Sequence, residues 1–172
     1  MVNNILLDSE NKIIATDERP YIERATINRG MVYFNDYSSP KDIAIVLPSD
    51  GDDNFNAIEP VTTFTNWCGF EDGGSDNGTL KFVGEDCTMN LLFTVSYGST
   101  DEKDLISFKG ITSSGAELFK IYDTTVKANG INTVTYVGIF DFVTDDEITV
   151  QVANLTYSHS LKIYTFSLAV YG

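Results

Sequence analysis

The chain has 172 residues, 42% of them hydrophobic and 21% charged, which is one domain's length with at most a short appendage and enough apolar material for a core. Lys and Arg number 11 against 25 Asp and Glu, a net charge of −14; such a surface repels phosphate backbones and anionic lipid, so nucleic acid is excluded as a partner. The longest unbroken apolar run, Ile43 to Leu47, is five residues against the roughly 20 that a membrane-crossing helix requires, so no membrane insertion is expected.

In chain order, Met1 to Glu10 carries no basic leader and its apolar stretch stops at Asp8, so no secretory signal is expected. The three arginines, Arg19, Arg24 and Arg29, fall close together, and residues 1 to 30 are near neutral while the remainder is strongly acidic. That asymmetry reads either as an anchoring arm, whose guanidinium groups make bidentate pairs with a partner surface, or as an edge strand with solvated charges. Beyond it, turn signals separate short segments rich in β-branched and aromatic residues. These are Met31 to Phe34, Ile43 to Leu47, Val61 to Trp67, Thr79 to Val83, Thr88 to Val95, Asp104 to Lys109, Glu117 to Tyr122, Asn132 to Phe142, Glu147 to Asn154 and Leu161 to Tyr171. The spacing predicts an all-β sandwich or barrel. Helix is expected for a turn or two at most, with Asp101 to Leu105 the best candidate.

Two strands show clear alternation. In Glu147 to Asn154, Ile148, Val150 and Val152 share one face and Thr149, Gln151 and Ala153 the other, as in a strand with one packed side. In the last strand Tyr164, Phe166, Leu168 and Val170 form a bulky face, while Thr165, Ser167 and Ala169 leave the reverse face small and uncharged, with Tyr171 at its end. This strand reads either as packed inward on its own sandwich and outward on another subunit, or as a central strand with a polar exterior.

Sites for chemistry are sparse. His159 is the sole histidine, and its neighbours Tyr157, Ser158 and Ser160 place it in a turn, so a solvated loop histidine is expected rather than a catalytic base. Acids are plentiful, but no pair sits in an apolar setting that would raise one pKa, so a small hydrolase using paired acids ranks last. Asp50 to Asn54 imitates the start of a calcium loop, yet Phe55 and Val61 stand where the sharp-turn glycine and the bidentate acid belong. No phosphate-cradling glycine loop is present, and no catalytic residue, metal or cofactor is expected. Cys68 and Cys87 cannot complete a zinc site alone and are read as free thiols, with a disulfide as the alternative. The acceptor patterns at Asn77 and Asn154 are taken as chance matches, and Trp67 as core packing in preference to a sugar platform.

Asp145 to Thr156, an acidic turn leading into an alternating strand and then a short polar loop, followed by the closing strand Leu161 to Tyr171 and preceded by Asn132 to Phe142, resembles the penultimate hairpin and last strand of the tumour necrosis factor/complement-type trimeric jelly roll. That fold also occurs in bacteriophage head fibres and capsid decoration proteins. Thr144 departs from the glycine usual before the acidic turn residue. The resemblance implies an antiparallel jelly-roll sandwich over about residues 61–172, preceded by a β-containing basal attachment module over 1–60. It implies a homotrimer with Tyr164, Thr165, Ser167, Ala169 and Tyr171 at the subunit contact. The expected role is a non-enzymatic virion surface protein, a head fibre or capsid decoration assembled in the host cytoplasm, held to a capsid protein through Arg19, Arg24 and Arg29. The alternative is a receptor- or carbohydrate-binding module, of tail-tip or lectin-like type, meeting a host surface glycan through loops at Asp50 to Asn56, Gly73 to Gly78 and Ser113 to Gly115.

Overall fold

A computed structural model describes residues 28–44, 55–58, 63–73, 78–157 and 159–172, with 63–68 described by backbone alone, and the backbone of two short strands ahead of them. The strands are β1 (Ile5–Leu7), β2 (Ile13–Thr16), β3 (Arg29–Asn35), β4 (Lys41–Ile43), β5 (Asn56–Ala57), β6 (Thr63–Cys68), β7 (Phe70–Asp72), β8 (Leu80–Phe82), β9 (Cys87–Ser99), β10 (Leu105–Thr112), β11 (Glu117–Thr124), β12 (Asn132–Phe142), β13 (Glu147–Asn154) and β14 (Leu161–Tyr171). β1 and β2 pair with each other. The others form two antiparallel sheets. The front sheet runs β12–β9–β14–β3–β6, with β4 also on β14, and the back sheet runs β11–β10–β13–β8–β7, with β5 also on β13. From β8 onward the chain alternates between sheets, only the β10–β11 hairpin staying in one. This is the antiparallel jelly-roll sandwich expected from the sequence.

Three expectations change. The segments Met31 to Phe34 and Ile43 to Leu47 were assigned to a basal module, but β3 is hydrogen bonded to β14 on one side and β6 on the other, and β4 pairs with β14. A strand with neighbours on both edges belongs to the sheet, so the sandwich takes in chain from Asn28 onward. The arginine-rich stretch before β3 masked this, because charge at a strand's start says nothing about its partners. Asp101 to Leu105 forms a bend leading into β10 and not a helical turn; Lys103 there has φ 66°, incompatible with a right-handed helix. The acidic turn at Asp145 is no hairpin: β12 lies in the front sheet and β13 in the back sheet, so it carries the chain from one layer to the other.

That crossing explains Thr144. Its hydroxyl donates to the Gly84 carbonyl at 2.6 Å and its N–H to the Asp86 carboxylate at 2.9 Å, tying the turn to the β8–β9 connection. Asp145 takes the left-handed backbone (φ 72°), which Asp tolerates better than most residues. The Asp145 carboxylate lies 3.1 Å from Lys81 Nζ and, by hydrogen bond and charge, raises the pKa of that ammonium. Glu85, Asp86, Asp141, Asp145 and Asp146 thus share one end of the sandwich, where β9 begins and β14 finishes. The leading segment joins the sandwich at this end too. The Gly172 N–H donates to the Asn28 carbonyl at 3.0 Å, and Asn28 Nδ2 lies 3.5 Å from the free thiol of Cys87.

The core lies between the sheets and is built from the alternate residues of each strand: Leu91, Phe93, Val95, Ile106, Phe108, Ile148, Val150, Val152, Phe166 and Leu168 are all buried. Aromatic rings in successive contact run through it, from Phe70 by way of Phe82, Phe142, Phe140, Tyr136 and Phe119 to Phe93. Gly110 makes room for that chain, because a Cβ there would collide with the Phe119 ring.

Tyr97 is fully buried at the far end of β9, and its hydroxyl donates to Asp123 Oδ2 at 2.8 Å. Burial first, and the bond to Asp123 second, raise its pKa well above the ordinary phenol value. A raised pKa in an acid means that the fold favours the protonated form. Tyr97 therefore supports folding fully below about pH 10, where an unfolded tyrosine ionises, and the support is lost as pH rises beyond that point. The urea midpoint is expected to fall above about pH 10, and Tyr97→Phe to make that alkaline limb shallower. An identical limb in the variant would tell against a role for Tyr97.

Candidate functional site

The outward side of the front sheet presents one continuous face across β12, β9, β14 and β3. Its strand registers align four rows: Val137–Leu92–Ala169–Met31, Thr135–Thr94–Ser167–Tyr33, Thr133–Ser96–Thr165–Asn35 and Ile139–Asn90–Tyr171–Arg29. Arg29, at one corner, is the only charged residue among them. In a chain with a net charge of −14, a face of hydroxyls and aliphatic groups is a departure from the rest. The outward positions of the back sheet, by contrast, carry Lys109, Lys120, Lys81, Glu71 and Glu147.

Hydroxyl pairs knit the middle of the front face. Thr94 and Thr135 are 3.3 Å apart through their Oγ1 atoms, Ser96 Oγ is 2.9 Å from Thr133 Oγ1, and the Ser96 N–H donates to Thr165 Oγ1 at 3.2 Å. With their polar atoms already paired, these side chains can be covered at little desolvation cost. Next to them Val137 is 60% exposed, Ile139 70% and Tyr171 43%, apolar area whose removal from water yields roughly 25 cal/mol per Å2.

β14 is central in this sheet, as the sequence allowed. Thr165, Ser167 and Ala169 point outward and are half-buried, Tyr171 closes the face, and Phe166, Leu168 and Val170 enter the core. Tyr164 differs. A register irregularity between Ile163 and Thr165 removes it from the alternation, and it stacks on Tyr37 with ring centroids 5.7 Å apart. Arg29 opens β3, while Arg19 and Arg24 lie outside the described residues. Asp50 to Asn54 and residues 74–77 also lie outside them, and the side chain of Trp67 is not described. Asn154 is fully buried, its Oδ1 accepting the N–H groups of Thr156 and Tyr157, and cannot carry a glycan.

Sequence reasoning missed Val137, Ile139, Leu92, Met31 and Tyr33. A usable signal was present: Asn132 to Phe142 holds only one charge, Asp141, on either of its faces.

The second cluster lies at the end opposite to Asn28. Asp104 is fully buried and accepts from the Ser99 hydroxyl through Oδ2, while its N–H donates to Thr125 Oγ1 at 2.8 Å. His159 Nδ1 sits 3.1 Å from Asp104 Oδ2, and Nε2 3.3 Å from Asp101 Oδ2. His159 is therefore held between two carboxylates and is not the solvated loop residue expected from its neighbours. The Ser99 hydroxyl bonds to Asp104 and not to the imidazole. Residues 101, 104 and 159 come together only through the fold, and nothing in their spacing announces it. Among the described residues no group of three or more His, Cys, Asp or Glu is placed to hold a metal ion.

No family model matches the sequence, and no curated protein matches it either. Solved structures do match the fold. The chain is similar to Eiger TNF from S. frugiperda, at 11% identity and a TM-score of 0.53 over 84% of this chain and 93% of that one. It is likewise similar to murine APRIL, at 13% identity and a TM-score of 0.54 over 84% of this chain and 99% of that one. At this level of identity the likeness is one of fold, a TNF-like β-sandwich.

Proposed function

We propose that this chain is a non-enzymatic protein that assembles as a homotrimer through the outward side of its front sheet and serves as a virion surface component, a bacteriophage head fibre or capsid decoration. The observation that carries the assembly is the outward face of β12, β9, β14 and β3, whose four rows hold Arg29 as their one charge, with Asp141 and Lys162 beyond them, on a strongly acidic chain. Buried against copies of itself, such a face loses water from aliphatic groups and already paired hydroxyls, with Arg29 at one corner the one ion of its four rows. The TNF-like sandwich agrees with the threefold arrangement that the sequence resemblance implies.

The virion reading adds two features. The segment before Asn28, with Arg19 and Arg24, supplies the attachment, and the described chain enters the sandwich at Asn28, beside Gly172. The net charge of −14 keeps copies crowded on one shell mutually repelling. Light scattering on the purified chain is expected to give a mass of three subunits. A monomer at micromolar concentration would remove the assembly and the virion reading with it.

A further inference from the structure

We propose that the loops at the end opposite to Asn28 form a binding cleft for a neutral sugar, with Tyr157 as its stacking platform. This goes beyond the assembly reading and stands on a different part of the molecule. An open cleft of about 450 Å3, lined by Asp101, Glu102, Lys103, Thr156, Tyr157 and His159, lies between the β9–β10 and β13–β14 connections. Small-molecule sites span roughly 300–1,000 Å3 and are mostly apolar; this cleft is of that size but is rimmed by carboxylates, an ammonium and hydroxyls. Its ligand must therefore offer both donors and acceptors together with one apolar face. A pyranose does so, through its hydroxyls and the C–H side of its ring.

The platform is built in advance. Tyr157 is 53% exposed, and its ring lies against the His159 ring, with centroids 5.1 Å apart at 33°. His159 in turn is fixed between Asp101 and the buried Asp104. The backbone beneath Tyr157 is pinned as well, since the buried Asn154 side chain accepts the N–H groups of Thr156 and Tyr157, and Thr156 Oγ1 accepts the Leu105 N–H at 2.9 Å. Pinning the ring before binding removes much of the ordering cost that ligand capture would otherwise carry.

Lys103 is the second pointer. It holds φ 66°, a conformation in which glycine or asparagine is the unstrained choice, and its N–H donates to the Thr125 carbonyl at 2.8 Å. A lysine kept in that position brings a donor to the rim of the cleft, and strain of this kind gathers at functional sites. The rim carries Asp101 and Glu102 against Lys103 on a chain of net −14, so acidic sugars are disfavoured. The rival ligand class is a small organic cation, attracted by the same carboxylates and the same ring face.

Methyl glycosides of galactose, mannose, fucose and N-acetylglucosamine, titrated into the isotope-labelled full chain, test this by amide shifts, with choline titrated in parallel. At least one glycoside is expected to give saturable shifts at Lys103, Thr156 and Tyr157. Tyr157→Ala should weaken that binding about tenfold, the scale of a lost stacking contact, while Tyr122→Ala, at an exposed tyrosine on β11 outside the cleft lining, keeps it. Lys103→Gly should raise the melting temperature and yet weaken the sugar, a pairing that a purely structural lysine would not give. Saturation by choline with no response to any glycoside would overturn the proposal, as would full affinity in Tyr157→Ala with its fold intact.

Discussion

With subunits meeting through the front face as proposed, Ser167→Arg is expected to leave folded monomers. Ser167 lies at the centre of the front face, opposite Thr94 on β9 and Tyr33 on β3, and points away from the core. A guanidinium there meets water freely in a lone subunit, so the sandwich itself is not challenged. In the assembly the same group would be buried in every copy, among hydroxyl and aliphatic neighbours that offer no carboxylate. Burying an unpaired charge costs several kcal/mol per ion, enough to cancel the association of three otherwise matched faces. Light scattering should show the mass falling to that of one chain, while circular dichroism keeps its β signal. A variant that stayed trimeric would show that subunits meet elsewhere.

Phe93→Ala carries the largest expected effect on the fold. Phe93 is fully buried on β9, the long strand at the middle of the front sheet, and its ring lies 5.9 Å from Phe108, 5.3 Å from Phe119 and 5.9 Å from Phe166. It thus touches two back-sheet strands and β14 together. Truncation removes the transfer energy of a phenyl ring and leaves a cavity that rigid sheets cannot close, for a loss of about 3–5 kcal/mol. Domains of this size have only about 5–15 kcal/mol in hand. Urea unfolding at one fixed protein concentration, so that assembly does not blur the comparison, should show the midpoint falling sharply. A loss below about 1 kcal/mol would mean that the neighbouring rings collapse into the space, contrary to the packing densities of protein interiors.

The sheets were legible in the sequence because period-two alternation is a local property. Asn132 to Phe142, Glu147 to Asn154 and Leu161 to Tyr171 emerge as β12, β13 and β14 with their expected bounds. Pairing is not local, which is why β3 was assigned to a separate module: its alternation of Val32 inward with Met31 and Tyr33 outward gives its faces but not its neighbours. The short strands β5 and β7 carried no pattern at all; two or three residues hold too few side chains to show a period. Thr165, Ser167 and Ala169 could be read because small uncharged residues opposite a bulky face are unusual on one strand. Leu92, Val137 and Met31, which complete the face, come from three other strands and become one surface only through the register. The His159 cluster was beyond reach for the same reason, since Asp104 lies 55 residues away along the chain.

The meeting of Asn28 with Gly172 has a mechanical consequence. A tether entering at that end and a load applied at the Asp101 and His159 loops pull along the strand direction, with β3 as the first element in line. Its seven registered partners on β14, from Thr165↔Asn35 to Tyr171↔Arg29, are joined by bonds perpendicular to that pull. Tension therefore shears them all together, so the sandwich resists being drawn apart most strongly along the line from its foot to its tip.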